Sequence, residues 1–591
     1  MRIKRGAALL LALACTVSLL TGCGPQPAAD TEEHAPITIQ SPFRNMSAFL
    51  EVLHKVYPEI NLEVVPYSGR NYTAYVNAQL ASGEMPDIYC TVYYAPGLKD
   101  VSDRLIDLSG YAFTDNYAEA RLRDVTEANG AIYLLPTFYN CFGITYNKTL
   151  LEKHGWTLPT SLRELEELAP QVEAAGCRLA LDQFQRPGYG FQYLCSILST
   201  GYLNTPDGRR WQRAYLAGEA DLSGTPGMVD ALSLLERWRA LGMLNGDGDP
   251  VSDNNTRLTM AEGNTLFLLG STNSFTASET SDEFGLMPYL SEDGDQNVFI
   301  LNVSRYVGLN KHLEDAGSEQ KLADALHVME VLSSVEGMQA LNAGYGDTSL
   351  LPLKDYKVSG TGYYADIEDT LNTGSTAPFI YAGWENVAVP IGEAAIAYYR
   401  GEGTLDDVAR AFDDNRYLLT DSARAAYTTL TETLDTAACA RLVGVCLGKA
   451  AGADLSLISV NKWYRDGDLN PDGVSGALYP LPITDQEIVS ILPTGWRQTI
   501  QTVTLTGARI RELAETGYDR NGNGRTFPYE LVAPEGLTLV DDTVYTVVIC
   551  GVTDAVAAEG RLTDTGLLGL DAARRYLSQF ETLSEEDIIW K

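Results

Sequence analysis

Histidine is scarce in this chain, and its scarcity limits the chemistry open to the protein. Only five His occur among 591 residues, and the last of them is His327. A dinuclear centre that hydrolyses phosphate esters needs several His and carboxylate side chains around two cations. No Asp-x-His or Gly-Asn-His-Asp element occurs in the sequence. We therefore predict that the protein is not an enzyme and requires no cofactor.

Positive charge is also scarce. The chain has 43 Lys and Arg against 78 Asp and Glu, which gives a net charge of -35. An acidic surface repels polyanions, so nucleic acid is excluded as a partner. Beyond Leu20 there is no hydrophobic run that is long and free enough of charge to cross a bilayer.

The N-terminus has the pattern of a secretory signal. A basic head, Met1 to Arg5, precedes an apolar run from Ala7 to Leu20. The following Leu20-Thr21-Gly22-Cys23 resembles the bacterial lipobox, which implies cleavage after residue 22 and a diacylglyceryl group on Cys23. We expect a flexible tether over residues 23–36 and a lipid-anchored protein on the extracellular face of the cell membrane.

The cysteines do not form a disulfide pattern. Of nine Cys, seven follow Cys23, and they are odd in number and scattered along the chain. We predict that these seven are small buried hydrophobic residues.

Residues 37–420 alternate short β-branched runs with amphipathic segments, which predicts an α/β domain. Strands are expected at Ile37-Thr38-Ile39 and at residues 62–65. Ser161 and Glu164 form a capping box that should open a helix with Leu162, Leu165 and Leu168 on one side.

Short landmarks in this region resemble the family 1 extracellular solute-binding proteins, the group that includes maltodextrin-binding protein. They are Met85-Pro86-Asp87-Ile88-Tyr89, Leu105-Ile106-Asp107-Leu108, Leu135-Pro136, the segments 143–148 and 155–161, Leu332-Ser333-Ser334 with Gln339 and Gly344, and Leu351-Pro352. The resemblance implies a two-lobed, periplasmic-binding-protein-like fold of type II. Its lobes would close on a solute and deliver it to the permease of an ABC importer.

Aromatic residues in predicted loops suit a carbohydrate ligand, because aromatic faces stack on sugar rings. The cleft candidates are Tyr93, Tyr94, Tyr139, Asn140, Phe191, Tyr345, Tyr381 and Trp384. The resemblance places Tyr139 after the first hinge strand and Trp384 in a late cleft loop. Asp87 either contributes a carboxylate to the cleft or caps a turn.

Residues 425–591 differ in character and resemble the C-terminal domain of the 5′-nucleotidase family, a smaller α/β domain. The matching marks are Gly452-Ala453-Asp454, Ile483-Thr484, Leu492-Pro493, Leu505-Thr506-Gly507 and the segment 545–548. In that family this domain holds a nucleoside, and a separate metal-dependent domain, absent here, does the hydrolysis. Arg465, Trp496 and Gln498 are the nucleoside-pocket candidates, although the second stacking aromatic is missing. A structural or docking role is the preferred alternative.

One loop has the spacing of a calcium site. Oxygens at alternate positions, Asp519, Asn521, Asn523 and Arg525, would surround the ion, and Glu530 would close the loop. Pro528 inside the loop favours the alternative, a Gly/Asn turn without metal.

The sequence therefore predicts a lipid-anchored binding protein that captures a small solute, most simply a sugar or oligosaccharide, for an ABC importer. A nucleoside or nucleotide receptor that uses the C-terminal domain is the alternative. A part of a 5′-nucleotidase-type phosphohydrolase is the weakest of the three hypotheses.

Overall fold

The computed structural model describes residues 34–40, 46–65, 67–98, 100–182, 187–244, 258–269, 280–343, 350–357, 362–373, 376–420, 426–462, 473–492, 496, 498–519, 524–550 and 562–590. Cys23, the tether and the segment 421–425 at the predicted domain boundary lie outside these residues.

The strands among the described residues form six sheets. They are β1 Ile37–Gln40, β2 Leu62–Val65, β3 Ile88–Thr91, β4 Leu135–Pro136, β5 Tyr139–Phe142, β6 Ile144–Asn147, β7 Arg178–Asp182, β8 Thr265–Leu269, β9 Phe284–Met287, β10 Ile300–Val303, β11 Tyr306–Leu309, β12 Ala377–Pro378, β13 Thr428–Leu430, β14 Leu455–Ser459, β15 Pro482–Ile483, β16 Thr499–Thr506, β17 Tyr518–Asp519, β18 Thr526–Phe527, β19 Tyr529–Val532, β20 Val544–Cys550, β21 Thr563–Leu568 and β22 Thr582–Leu583.

The α-helices lie mostly between these strands. They are α1 Ser47–Val56, α2 Tyr72–Ser82, α3 Val101–Arg104, α4 Glu119–Arg123, α5 Lys148–His154, α6 Leu162–Ala174, α7 Pro187–Leu198, α8 Pro206–Leu216, α9 Pro226–Ala240, α10 Glu319–Leu332, α11 Val335–Asn342, α12 Glu368–Thr373, α13 Glu385–Tyr399, α14 Leu405–Asp414, α15 Tyr417–Thr420, α16 Thr436–Ala451, α17 Asp485–Ser490, α18 Gly507–Thr516 and α19 Gly569–Leu577.

The first lobe is built on a five-stranded sheet with the order β2-β1-β3-β11-β4. The predicted strands at 37–39 and 62–65 are confirmed, and they pair in parallel from Ile37 opposite Leu62. Ile37 and Ile39 are fully buried, as expected of a parallel strand covered on both faces. Strand β11 returns from a distant part of the chain and pairs antiparallel with β3 and β4.

The second lobe has a separate four-stranded sheet with the order β7-β8-β6-β9. A three-stranded sheet with the order β12-β10-β5 joins the lobes. The chain enters each of these strands from one lobe and leaves it into the other. The chain thus passes between the lobes at three places, which confirms the predicted two-lobed α/β architecture.

Helix α6 forms where its capping sequence predicts. The Ser161 hydroxyl accepts a hydrogen bond from the Glu164 N–H at 3.2 Å, and Leu162, Leu165 and Leu168 are buried. The Glu164 carboxylate accepts from the N–H of Thr160, one residue before the cap. This lowers the pKa of Glu164.

Residues after 426 build their own sheets. The larger has the order β19-β14-β20-β16-β21, and the smaller joins β15, β13 and β22. Helix α16 packs on the larger sheet, and its Cys439 and Cys446 are buried. All seven cysteines after Cys23 carry free thiols, and five of them are buried. Within the described residues, no helix has both the length and the apolar character needed to span a bilayer.

This C-terminal domain is docked on the first lobe through helix α2 and the loop before it. The ring of Tyr75 stacks on that of Tyr67, with centroids 4.4 Å apart, and its hydroxyl lies 3.4 Å from the hydroxyl of Tyr479. Tyr67 donates a hydrogen bond to the carbonyl oxygen of Ser490. Tyr479 belongs to the hydrophobic core of the first lobe, so the two bodies share a core at this contact.

Gly476 is expected to be essential to this contact. Its φ of +81° disfavours any side chain, and a Cβ there would lie 2.8 Å from the Tyr75 ring. Gly536 has nearly the same φ, +82°, but open space around it. We expect Gly476→Ala to lower the free energy of unfolding by about 1–3 kcal/mol more than Gly536→Ala, measured by urea denaturation. Equal losses in the two variants would show that the contact tolerates the methyl group.

Candidate functional site

Aromatic rings from both lobes meet beside the hinge sheet. Tyr93 follows β3 in the first lobe, whereas Phe379 and Tyr381 follow β12 at the entry to the second lobe. The Tyr93 ring centroid lies 4.6 Å from that of Tyr381 and 6.0 Å from that of Phe379. Tyr93 and Tyr381 are half-buried. Burial raises the pKa of Tyr93 to about 12, and the charge of Glu385 adds to the rise.

Hinge strand β5 adds a hydrogen-bond acceptor to this group. Alternate residues of a strand face opposite sides, so Asn140 and Phe142 share one face and Tyr139 and Cys141 the other. The ring of Phe142 lies edge-on to Phe379. Asn140 therefore faces the aromatic group, and its buried Oδ1 has no hydrogen-bond partner among the described residues. An unpaired buried acceptor is costly, and a ligand donor would remove that cost.

Arg305 brings a cation to the same place. It lies between hinge strand β10 and β11, and its charge opposes the burial-induced rise in the pKa values of Tyr93 and Cys90. Its buried Nε has no partner within the described part of the chain. Its Nη1 donates to the carbonyl of Ser304.

Glu385 supplies a carboxyl group on the second lobe. It is the first residue of α13, where the N–H groups of Gly383 and Glu385 itself hydrogen-bond to its carboxylate. Although its surface is partly accessible, the surrounding protein desolvates the carboxylate, and the pKa of Glu385 rises to about 7. In addition to burial, the charge of Glu385 raises the pKa of Tyr93 and Tyr381, and Glu385 begins α13 four residues after Tyr381.

Several predicted cleft residues instead lie in the cores of the lobes. Trp384 is fully buried and stacks on Tyr215 with centroids 4.8 Å apart, so its ring supports the second lobe and offers no face to a solute. Phe191 is 1% exposed in the same core and meets Tyr381 edge-on. These two placements correct the expectation that both aromatics lie in open loops.

Two further cleft candidates, Tyr94 and Tyr139, are buried away from the aromatic group. Tyr94 is buried in the first lobe, and its hydroxyl donates to Glu127 at 2.7 Å. Tyr139 is buried on the far face of the hinge strand, with the guanidinium of Arg121 over its ring. Tyr345 lies outside the described residues. Thus the structure brings Tyr93, Asn140 and Tyr381 together from the predicted set.

Asp87 has a structural role. Its buried carboxylate accepts hydrogen bonds from the backbone N–H and the hydroxyl of Thr38, and it is paired with His312 and Lys321. Although burial opposes the effect, these partners hold its pKa below the usual value. Because these partners lie far away in the sequence, Asp87 joins distant segments of the first lobe, and neither the cleft role nor the turn cap describes it.

The nucleoside-pocket candidates do not form a stacking site. Trp496 is 3% exposed, adopts a positive φ of 60°, and its Nε1 donates to the carbonyl of Ile488. Its ring is a core element and leaves no face for a base, which corrects the expectation. The side chain of Gln498 is exposed, and Arg465 lies outside the described residues.

The calcium candidates have other partners. Glu530 lies 3.8 Å from the guanidinium of Arg441, and Asp519 accepts a hydrogen bond from the N–H of Gly524. Asn521 and Asn523 lie outside the described residues, whereas Arg525 lies within them. Among the residues that the structure describes, no three His, Cys, Asp or Glu side chains are grouped to hold a metal. The Gly/Asn turn stays a prediction, because residues 520–523 lie outside the described residues.

Phe379, Arg305 and Glu385 were not predicted from the sequence. Glu385 directly follows Trp384, a predicted cleft residue, and this adjacency is the sequence signal that marks it. Arg305 follows a hinge strand whose pairing joins segments more than 150 residues apart, so no local pattern marks it.

The raised pKa of Glu385 makes stability depend on pH. The folded protein holds this proton more tightly than the unfolded chain, so the stabilisation is complete below pH 4.5 and is lost as pH rises through about 7. We expect urea midpoints to fall between pH 5 and 8 in the wild type and to fall less in Glu385→Gln. Glu393→Gln, on the same helix, is the control. Parallel curves for wild type and Glu385→Gln would contradict the assignment.

Comparison with known proteins agrees with this architecture. Residues 40–326 match the family profile described as bacterial extracellular solute-binding protein. A family 1 extracellular solute-binding protein from Bifidobacterium longum subsp. infantis superposes with a TM-score of 0.51 at 18% identity, over 65% of this chain and 99% of that one.

Two further structures are similar over almost the same part of the chain. The putative binding protein MsmE of Bacillus subtilis, in an open conformation, has a TM-score of 0.54 at 15% identity, over 67% of this chain and 100% of that one. The apo form of RafE from Streptococcus pneumoniae has a TM-score of 0.51 at 16% identity, with the same coverage. Residues 40–326 therefore match the bacterial extracellular solute-binding protein family, and the first part of the chain shares the two-lobed α/β fold of these structures.

Proposed function

We propose that the protein captures a sugar or oligosaccharide between its two lobes and delivers it to an ABC importer. One observation carries the proposal: Tyr93 and Tyr381, from opposite lobes, meet at 4.6 Å beside the hinge. Half-buried tyrosines combine an apolar face that stacks on a pyranose ring with a hydroxyl that can hydrogen-bond.

Polar groups around the rings suit hydroxyl recognition. The unpaired Oδ1 of Asn140 accepts a hydrogen bond, Arg305 donates, and the Glu385 carboxyl does either according to its protonation. A few placed polar groups within an aromatic cleft are typical of small-molecule sites. RafE, whose complex with raffinose has a TM-score of 0.50 to this chain at 16% identity, is a sugar-binding precedent on the same fold.

The hinge supports capture and release. Three short strands connect the lobes, so a small rotation there would separate Tyr93 from Tyr381 and open the site. The solute would leave chemically unchanged, which is why we propose no enzymatic role. The nucleoside alternative lacks support in the described residues, because Trp496 is enclosed in the C-terminal core.

The membrane anchor belongs to the same proposal. A diacylglyceryl group on Cys23 would hold the domains at the outer face of the membrane through the tether 23–36, next to the permease. The kinship of residues 425–591 with the 5′-nucleotidase C-terminal domain remains a prediction from the sequence.

Sugar binding can be tested with the full chain and a panel of mono- to tetrasaccharides. A bound sugar should raise the melting temperature by mass action. We expect Tyr93→Ala and Tyr381→Ala each to weaken binding about tenfold or more in isothermal titration calorimetry, because each removes a stacking face. Tyr417→Ala, which removes an exposed tyrosine of the second lobe, is the matched control. Binding unchanged in both test variants, or no binding by the wild type, would refute the proposal.

Anchoring can be tested separately in cells. We expect the wild type in the membrane fraction and Cys23→Ala in the medium or soluble fraction, because the thiol carries the lipid. Cys177→Ala, at a half-buried cysteine of the second lobe, should stay with the membrane. Retention of Cys23→Ala on the membrane would contradict lipidation at this residue.

A further inference from the structure

A groove of about 590 Å³ lies where the two lobes and the C-terminal domain meet. Helix α2 of the first lobe lines it with Ala74 and Ala81. The start of α13 in the second lobe contributes Glu385 and Asn386, and the C-terminal domain contributes residues 484–487. Each of the three bodies thus forms one wall of the groove.

Two of these walls are joined directly. Gln486 accepts a hydrogen bond from the Asn71 side-chain amide at the N-terminus of α2, and Ser475 accepts from the N–H of Ser68. Together with the Tyr75–Tyr479 contact, these bonds tie the C-terminal domain to the first lobe. The third wall belongs to the second lobe and would move with it at the hinge. The groove would therefore open and close together with the solute cleft.

Glu385 connects the groove to the cleft. Glu385 lines the groove, and it begins α13 directly after the turn in which the Trp384 N–H donates to the carbonyl oxygen of Tyr381. A ligand that lies on the two tyrosines would reach the groove by extending past this carboxyl group.

The chemistry of the groove suits a neutral hydroxylated ligand. Asp485 is bound by the guanidinium of Arg574 and the hydroxyl of Tyr427, and Glu487 accepts from the N–H and hydroxyl of Thr484. Their charges are thus already engaged within the C-terminal domain. Asn77 and Asn386 add side-chain amides at the exposed rim. The Asn386 nitrogen donates one hydrogen bond to the carbonyl oxygen of Leu418, and its second N–H and its oxygen can pair with hydroxyl groups.

We propose that this groove is an outer subsite of the solute cleft, in which the C-terminal domain contacts the far end of a bound oligosaccharide. The inference rests on the proposed sugar-binding function. It assigns the C-terminal domain a part in selecting longer saccharides, since a monosaccharide on the tyrosines would not extend to helix α17.

The test compares ligands of different length in the full chain. The probes are mono- to tetrasaccharides of glucose, galactose and xylose, measured by isothermal titration calorimetry. Ala74→Leu narrows the groove from the helix, and Asn386→Ala removes an amide from its exposed rim. Ala174→Leu, at an exposed alanine in the last turn of α6, is the control for added bulk.

We expect the wild type to bind its preferred oligosaccharide more tightly than the corresponding monosaccharide. Ala74→Leu should weaken oligosaccharide binding about tenfold and leave monosaccharide binding within about twofold, and Asn386→Ala should act in the same direction. The Ala174→Leu variant should match the wild type.

The two proposals fail in different ways. If the wild type binds sugars but neither groove variant changes the ratio of oligosaccharide to monosaccharide affinity, the subsite is refuted and the cleft proposal stands. If the wild type binds no saccharide of the panel, both are refuted.

Discussion

The hinge sheet is the constraint on which the rest of the molecule depends. Strands β5, β10 and β12 pair with one another across segments that are far apart in the chain, and each leads from one lobe into the other. All three crossings lie side by side in one sheet, and the cores of the two lobes are separate clusters. The same arrangement brings Asn140 on β5, Arg305 after β10, and Phe379 and Tyr381 after β12 into one place.

Desolvation by the surrounding protein determines the protonation and hydrogen bonding of the polar groups at the hinge. Surrounding protein raises the pKa of Glu385 to about 7, and Arg305 and Asn140 hold buried polar atoms without a partner in the described residues. Folding normally pairs such atoms, because an unpaired buried donor or acceptor costs about 1–3 kcal/mol. At the hinge these two atoms lie beside two tyrosines from opposite lobes, and this combination marks the candidate ligand site.

The C-terminal domain adds a third body beside the two lobes. It shares a core with the first lobe through Tyr479 and faces the second lobe across a groove. A domain fixed to one lobe can sense or limit the approach of the other lobe without taking part in the hinge. This position gives the additional third of the chain a physical relation to solute capture.

Local patterns predicted much of the fold. The alternation of apolar β-branched runs marked β1 and β2, and Ser161 marked the start of α6, because strand burial and helix capping depend on neighbouring residues. The aromatic inventory also included Tyr93 and Tyr381, which do meet between the lobes. It also included Trp384 and Phe191, which lie in a core. The sequence did not separate these two from the others, because a loop-like stretch does not reveal which of its side chains face the protein interior.

The sequence by itself determined the α/β character, the acidic charge, the secretion pattern with Cys23, and the resemblance to the solute-binding proteins. All of these reside in composition or in short stretches of residues. Only the tertiary structure decided that Asn140, Arg305 and Glu385 join the tyrosines, that Trp496 is enclosed, and that the C-terminal domain docks on helix α2. The contact of Tyr93 with Tyr381 and that of Tyr75 with Tyr479 join residues more than 250 positions apart. The energies of all these contacts depend on burial and distance, which no local pattern records.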